Sequence, residues 1–233
     1  MKISSFFIFL SILFVLTGCS VPNKAIKFTP PATVPLYSDQ VSLPQADVVG
    51  SHDKVFNMMA KVSIISPTEK WFFKLALFVQ LPDKLRVEFI PLFGLPDFFL
   101  TIKQNQFKAF LPKKQEFIIG KASPENLAPF LPMLWEPEKW ITVLLGIYPE
   151  ENPYPRQISF FLANGQQQEI YYTWGWRFEN TEIPENITFN TSNDTTVSIT
   201  YTDFHIRENT ENDLDDLFDI TIPADSVTVY EWN

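Results

Sequence analysis

The chain has 233 residues, a formal net charge of −9 at neutral pH, one cysteine and two histidines. This length suits one domain with a linker, and a lone cysteine excludes an internal disulfide. The acidic balance disfavours nucleic acid and electrostatic docking to anionic lipid head groups, since both partners demand a basic surface. With so few cysteines and histidines we predict no metal site, and nothing in the sequence indicates another cofactor.

The first residues have the parts of a bacterial signal peptide. Lys2 supplies a positive start, and an apolar run over residues 6–16 follows, which is too short to span a bilayer core of about 30 Å. Residues 16–19 (Leu-Thr-Gly-Cys) resemble the lipobox, in which the thiol takes a diacylglyceryl group. We therefore predict a signal peptide over residues 1–18 and a lipid anchor on Cys19. The alternative is an ordinary signal peptide followed by a chance cysteine.

The residues after the cysteine indicate where the protein is held. Ser20, rather than an aspartate, follows Cys19, and by resemblance to the enterobacterial sorting rule this favours the outer membrane, with the protein facing the periplasm. Residues 19–50 contain five prolines and no apolar period, which predicts a semi-extended tether. The alternative is that part of this stretch packs along the domain. Residues 51–233 form the predicted domain.

From Val55 onward the sequence has the period of β-strands, with apolar residues at every second position. One apolar face is predicted from Trp71, Phe73, Leu75, Leu77, Leu85, Val87 and Phe89. Further strands are predicted over residues 98–103, 107–111, 116–119, 157–162, 168–174, 186–190, 195–203 and 217–222. Because the connections are short, the sheet should be antiparallel.

Two short helices are predicted in the middle of the chain. The first begins after Ser123, carries Leu127, Phe130 and Leu131 at helical spacing, and is shortened by prolines. The second begins near Pro137 and ends at Gly146. The expected fold is therefore mainly β: an incomplete antiparallel barrel with short helices as a lid. Two interpretations are open for the apolar face together with Leu127, Phe130 and Leu131. These residues line an apolar cavity in one interpretation and fill a solid core in the other.

Catalytic motifs are missing from the sequence. It contains no Gly-x-Ser-x-Gly elbow, no His-Glu-x-x-His pair and no phosphate-binding glycine loop. We therefore predict that the protein is not an enzyme.

The order of motifs from residue 85 to residue 149 resembles the LolA/LolB family of lipoprotein carriers and receptors, and its LolB branch especially. The order is Leu-Arg-Val-Glu at 85–88, Pro-Leu-Phe-Gly at 91–94, Ala-Ser-Pro-Glu-Asn-Leu at 122–127, Trp140, and Leu-Leu-Gly-Ile-Tyr-Pro at 144–149. The resemblance covers most of residues 55–229. The carrier branch has an arginine before the proline of an early turn, and Leu81 occupies that position here, which favours a receptor-type protein.

The resemblance implies a helical lid over an apolar cavity that holds lipoprotein acyl chains. The implied function is delivery of acyl chains or lipoproteins to the outer membrane by a protein anchored there through lipid on Cys19. The implied partners are acyl chains or lipoprotein cargo, with a periplasmic carrier as a further candidate. The alternative is a structural or assembly lipoprotein of the envelope that uses the same fold as a protein-interaction platform.

One loop stands out as a candidate for membrane insertion. Leu92, Phe93 and Leu95 lie between Pro91 and Pro96 in what should be a surface turn, where polar residues are the norm. The resemblance implies a protruding apolar loop at this position. The alternative is a turn that folds back on the core.

Overall fold

The computed structural model describes residues 54–91, 96–147, 156–161, 167–178, 181–191, 194–208, 216–221 and 227–232. The predicted signal peptide, Cys19 and the predicted tether lie outside the described residues. So do Leu92, Phe93 and Leu95 of the predicted insertion loop.

Eleven described strands form one sheet, in the order β11-β6-β5-β4-β3-β2-β1-β10-β9-β8-β7. The strands are β1 Lys54–Ile65, β2 Lys70–Gln80, β3 Lys84–Ile90, β4 Phe98–Lys103, β5 Gln106–Leu111, β6 Glu116–Lys121, β7 Gln157–Phe161, β8 Gln167–Phe178, β9 Thr181–Asn190, β10 Thr196–Glu208 and β11 Thr228–Trp232. Two short helices interrupt them, α1 Pro124–Leu127 and α2 Pro137–Leu145, and a 3₁₀ turn covers Asp216–Phe218. The prediction of a mainly β fold with an open antiparallel sheet and a few short helices is confirmed.

The end of the chain differs from the prediction in two ways. In the stretch predicted as a strand over residues 217–222, the described residues 217–221 belong to the 3₁₀ turn and an irregular segment, and the last described strand is β11. In addition, β11 pairs in parallel with β6, whereas the other described pairs are antiparallel. Phe218 and Ile220 bury their side chains, and their backbone belongs to no described strand. We call residues 216–221 the strap.

The register places the predicted apolar face on a single side of the sheet. Leu77 on β2 lies opposite Met58 on β1 and Val87 on β3, and alternate residues along each strand follow the same side. We call this the inner face, because its side chains and those of both helices form one buried cluster. The other side, which carries Phe72 and Arg86, is the outer face.

Each helix has a terminal residue suited to its position: an N-cap for α1 and a C-cap for α2. Ser123 caps α1 by accepting a hydrogen bond from the backbone N–H of Asn126, and Gly146 ends α2 in the left-handed conformation at φ 64°. A Cβ at Gly146 would lie 2.5 Å from the Trp174 ring, so no larger residue fits. Tyr201 donates its hydroxyl to the Leu144 carbonyl at 2.8 Å. This bond satisfies one of the carbonyls that a helix end leaves without an internal partner.

Candidate functional site

Burial along the inner face changes from one end of the strands to the other. On β2, Leu77 and Val79 are fully buried, whereas Trp71, Phe73 and Leu75 are only half-buried. The same change occurs on β1, β3 and β4. The half-buried inner-face residues at this end are Ile64, Trp71, Phe73, Leu75, Phe89 and Phe98, and we call them the apolar mouth. The mouth is continuous with the buried core.

Aromatic rings connect the mouth to the segment that follows α1. The rings of Phe73 and Phe89 lie 4.9 Å apart, and Phe98 stacks on Phe130 at 5.5 Å. Phe130 in turn stacks on Trp232 of β11 at 5.8 Å. Residues far apart in sequence therefore form one aromatic boundary beside the mouth.

The ten residues predicted to line a cavity divide into two groups. Leu77, Leu85, Val87, Leu127 and Leu131 are buried in the core cluster. Trp71, Phe73, Leu75, Phe89 and Phe130 are half-buried. The structure thus brings all ten to the side of the sheet that carries the helices, with the first group deep and the second at the less buried end. Their role in holding a ligand stays a prediction.

A second aromatic cluster lies under α2. The rings of Trp135 and Trp140 are 4.6 Å apart, and Phe189 of β9 lies 5.3 Å from Trp135. Trp140 is 3% exposed, and its indole N–H is buried without an acceptor among the described residues, as is that of Trp176. A buried donor of this kind can bond to a carbonyl oxygen of a bound molecule or to water. The sequence does not single out these two donors, because nothing in the spacing of Trp140 or Trp176 distinguishes a donor inside the fold from ordinary packing.

Two charged groups around α2 are affected by burial. Burial lowers the pKa of Lys139 to about 8. Burial, followed by repulsion from Glu138 and Glu125, raises the pKa of Glu136 at the start of the helix. Burial also raises the pKa of Tyr201, so its hydroxyl keeps the proton that it donates to α2.

Arg86, on the outer face, holds the strap in place. It donates to the carbonyl of Leu217 at 2.7 Å and forms an ion pair with Glu88 at 2.7 Å. Lys108 pairs with Asp219, and Lys84 lies 5.8 Å above the Phe218 ring. Arg86 is therefore a structural residue that binds a distant part of the same chain.

Within the described ranges, no helix is long and apolar enough to cross a membrane. The same part of the chain contains no group of three or more histidine, cysteine, aspartate or glutamate residues positioned for a metal ion.

Of the known proteins compared with this chain, only solved structures match it. No family model matches the chain, and no curated protein does. A LolA-superfamily protein from Nitrosomonas europaea is 11% identical and aligns with a TM-score of 0.50 over 75% of this chain and 93% of its own. A putative outer membrane lipoprotein-sorting protein domain from Vibrio parahaemolyticus is 11% identical, with a TM-score of 0.50 over 72% and 90%. A DUF1329 family protein from Desulfovibrio piger is 7% identical, with a TM-score of 0.51 over 74% and 92%.

These matches show that the chain has the fold of LolA-superfamily structures. The predicted resemblance is therefore confirmed at the level of the fold, whereas the LolB branch is not singled out. At identities this low the likeness concerns the arrangement of the backbone, and function must be argued from the site.

Proposed function

We propose that the protein is a membrane-anchored lipoprotein that binds acyl chains at the apolar mouth for delivery to the outer membrane. The observation that supports this most is the half-buried inner face at one end of the sheet, formed by Trp71, Phe73, Leu75 and Phe89. Soluble proteins rarely leave apolar side chains of this size grouped and partly exposed unless a partner covers them.

The chemistry of the mouth suits a hydrocarbon chain. Its six members carry no charge, and the indole N–H of Trp71 is their one polar side-chain group. Each square ångström of apolar surface removed from water contributes about 25 cal/mol, so covering several of these side chains gives useful affinity without any polar contact. An acyl chain can cover them at this end of the sheet without disturbing the core behind.

The proposed anchor is the diacylglyceryl group on Cys19, followed by the proline-rich stretch 19–50. Such a tether extends by up to about 3.1 Å per residue, so the domain can work tens of ångströms from its anchor. More than one acyl chain is needed for stable attachment, and lipidation at a lipobox cysteine supplies them.

An interaction platform is the second candidate function. It is favoured by the five predicted cavity residues that are buried, since they fill the deep part of the inner face. In that case the mouth would be covered by a protein and not by a lipid.

Fatty-acid binding distinguishes these two functions. The chain from residue 20 onward, which keeps every described residue, should bind an apolar fluorescent probe that fatty acid displaces. Trp71→Glu should weaken fatty-acid binding by at least about tenfold, because a carboxylate in an apolar site must be desolvated. Phe72→Glu is the matched control, since Phe72 follows Trp71 on β2 and lies on the outer face. A folded wild-type chain that binds neither probe nor fatty acid would exclude acyl binding, as would equal binding by both variants.

The anchor is tested separately by Cys19→Ser in cells. We expect this variant to leave the membrane fraction or to remain unprocessed, and Ser20→Ala is the control that should stay membrane-bound. Complete processing and normal membrane retention of Cys19→Ser would contradict the proposed anchor.

A further inference from the structure

A groove of about 500 Å³ opens on the outer face, across β10, β1, β2 and β3. Its volume falls within the range of about 300–1,000 Å³ that is usual for ligand pockets. It is lined by Lys61, Ser63, Phe72, Lys74, Ile90, Pro91 and Thr200, together with the intervening strand residues Val62, Phe73 and Phe89. We call it the lysine groove.

Two lysines lie directly opposite each other in this groove. Lys61 on β1 is the register partner of Lys74 on β2, and both side chains are exposed. Directly opposite residues have Cβ atoms about 4.5–5.5 Å apart, and like charges at that separation destabilise a sheet. Neither lysine has a hydrogen bond or ion pair with any residue that the structure describes. Folding alone therefore gives no reason for this pair.

The acidic groups on nearby positions of the same face have other partners. Glu88 is paired with Arg86 at 2.7 Å, and Asp203 accepts from the backbone N–H of Phe204 and lies 3.2 Å from His205. The two ammonium groups thus form a local positive site on a chain whose net charge is −9. Local fields of this kind, and not the net charge, decide which ions a surface attracts at close range.

Apolar surface adjoins the two charges. Phe72 is 71% exposed, and Ile90 and Pro91 lie across the groove from it, half-buried. The combination of paired positive charge and an exposed aromatic ring complements a molecule that carries a phosphate beside hydrocarbon.

We propose that the lysine groove is a docking surface for anionic phospholipid at a membrane. Lys61 and Lys74 bind the headgroup phosphate, and Phe72 enters the boundary between headgroups and acyl chains. The groove and the apolar mouth lie at the same end of β2, on opposite faces of adjacent residues Trp71 and Phe72. Docking through the groove therefore holds the strand end that carries the mouth close to the membrane surface. This proposal goes beyond acyl binding and does not require it.

Vesicle binding tests the proposal on the chain from residue 20 onward, which lacks the proposed anchor. We expect stronger cosedimentation with vesicles of phosphatidylcholine and phosphatidylglycerol than with phosphatidylcholine alone, and loss of the difference at high salt. The double variant Lys61→Gln, Lys74→Gln should weaken binding to the anionic vesicles by roughly 30-fold. The matched control is Lys114→Gln, Lys121→Gln, which changes the net charge equally at exposed positions on either side of Glu116–Ile119 of β6.

Two further readouts separate docking from folding and from acyl binding. Removing the repulsive pair should leave the melting temperature unchanged or raised, and should leave fatty-acid affinity at the mouth unchanged. Phe72→Ser should weaken binding to the anionic vesicles while the chain stays folded. Equal binding to both kinds of vesicle, an equal loss in the control variant, or no effect of Phe72→Ser would overturn the proposal, whatever the outcome for fatty acid.

Discussion

Lys139, on α2, has an amphipathic side chain whose partial burial has a cost that depends on pH. Its pKa falls from 10.5 to about 8 on folding. Between these two values the unfolded chain holds the proton and the folded chain has lost it, so the free energy of unfolding rises with pH in this window. Below pH 8 both states are protonated and the folded state carries the full cost of a buried charge.

Lys139→Met should therefore stabilise the protein at neutral pH, since methionine fills a similar space without charge. The gain should fade as pH rises from 8 towards 10.5, where the wild-type lysine becomes neutral. Urea unfolding of both proteins at the two ends of this window measures the difference. Lys121→Met, at an exposed position, is the control and should show no gain. A gain that stays constant with pH would mean that packing, and not charge, causes it.

Also at the scale of single residues, alternation in the sequence predicts on which face of the sheet a side chain lies, but not which residue it contacts. The alternation around Arg86 predicts that its side chain lies on the other face of the sheet from that of Val87, and it does. The carbonyl to which it donates belongs to Leu217, 131 positions away, and no local pattern encodes that contact. The Lys61–Lys74 pair could not be predicted either, because it depends on the register between two strands.

At the scale of elements, the strands and helices with strong local signals were predictable. The alternation over β1 to β6 has a clear period of two, and α2 lies between Pro137 and Gly146, which suit the first position of a helix and its left-handed end. Pro129 and Pro132 limit α1 to a single turn, as expected from the loss of backbone donors.

The strap and β11 were not predictable, because their burial depends on the rest of the fold. Phe218 and Ile220 alternate like a strand, yet they bury against the outer face and leave their backbone outside the ladder. β11 has mostly exposed side chains, so it lacks the apolar period that marks a strand. Its place beside β6 depends on Gly120, where a Cβ would lie 2.7 Å from both Phe107 and the Trp232 carbonyl.

At the scale of the molecule, the outer face divides into two parts. The strap packs against β3 and β4 and buries part of their outer side, with Thr101 among the buried residues. The other part, at the strand end that carries the exposed Lys61, Phe72 and Lys74, contains the lysine groove. Sequence patterning could not separate the two parts, just as it could not separate a cavity from a solid core. Both depend on which distant segment packs where.

Replacing one phenylalanine in each part tests this division. Phe218→Ala should destabilise the fold by about 3–5 kcal/mol, because the ring is only 1% exposed and its removal leaves a cavity under the strap. Phe72→Ala, also on the outer face but 71% exposed, should change the free energy of unfolding by no more than about 0.5 kcal/mol. Chemical unfolding of the two variants and the wild type gives both values. A small effect of Phe218→Ala would mean that the strap is not packed against the sheet in solution. A large effect of Phe72→Ala would mean that another part of the chain covers the lysine groove, leaving no room there for a membrane lipid.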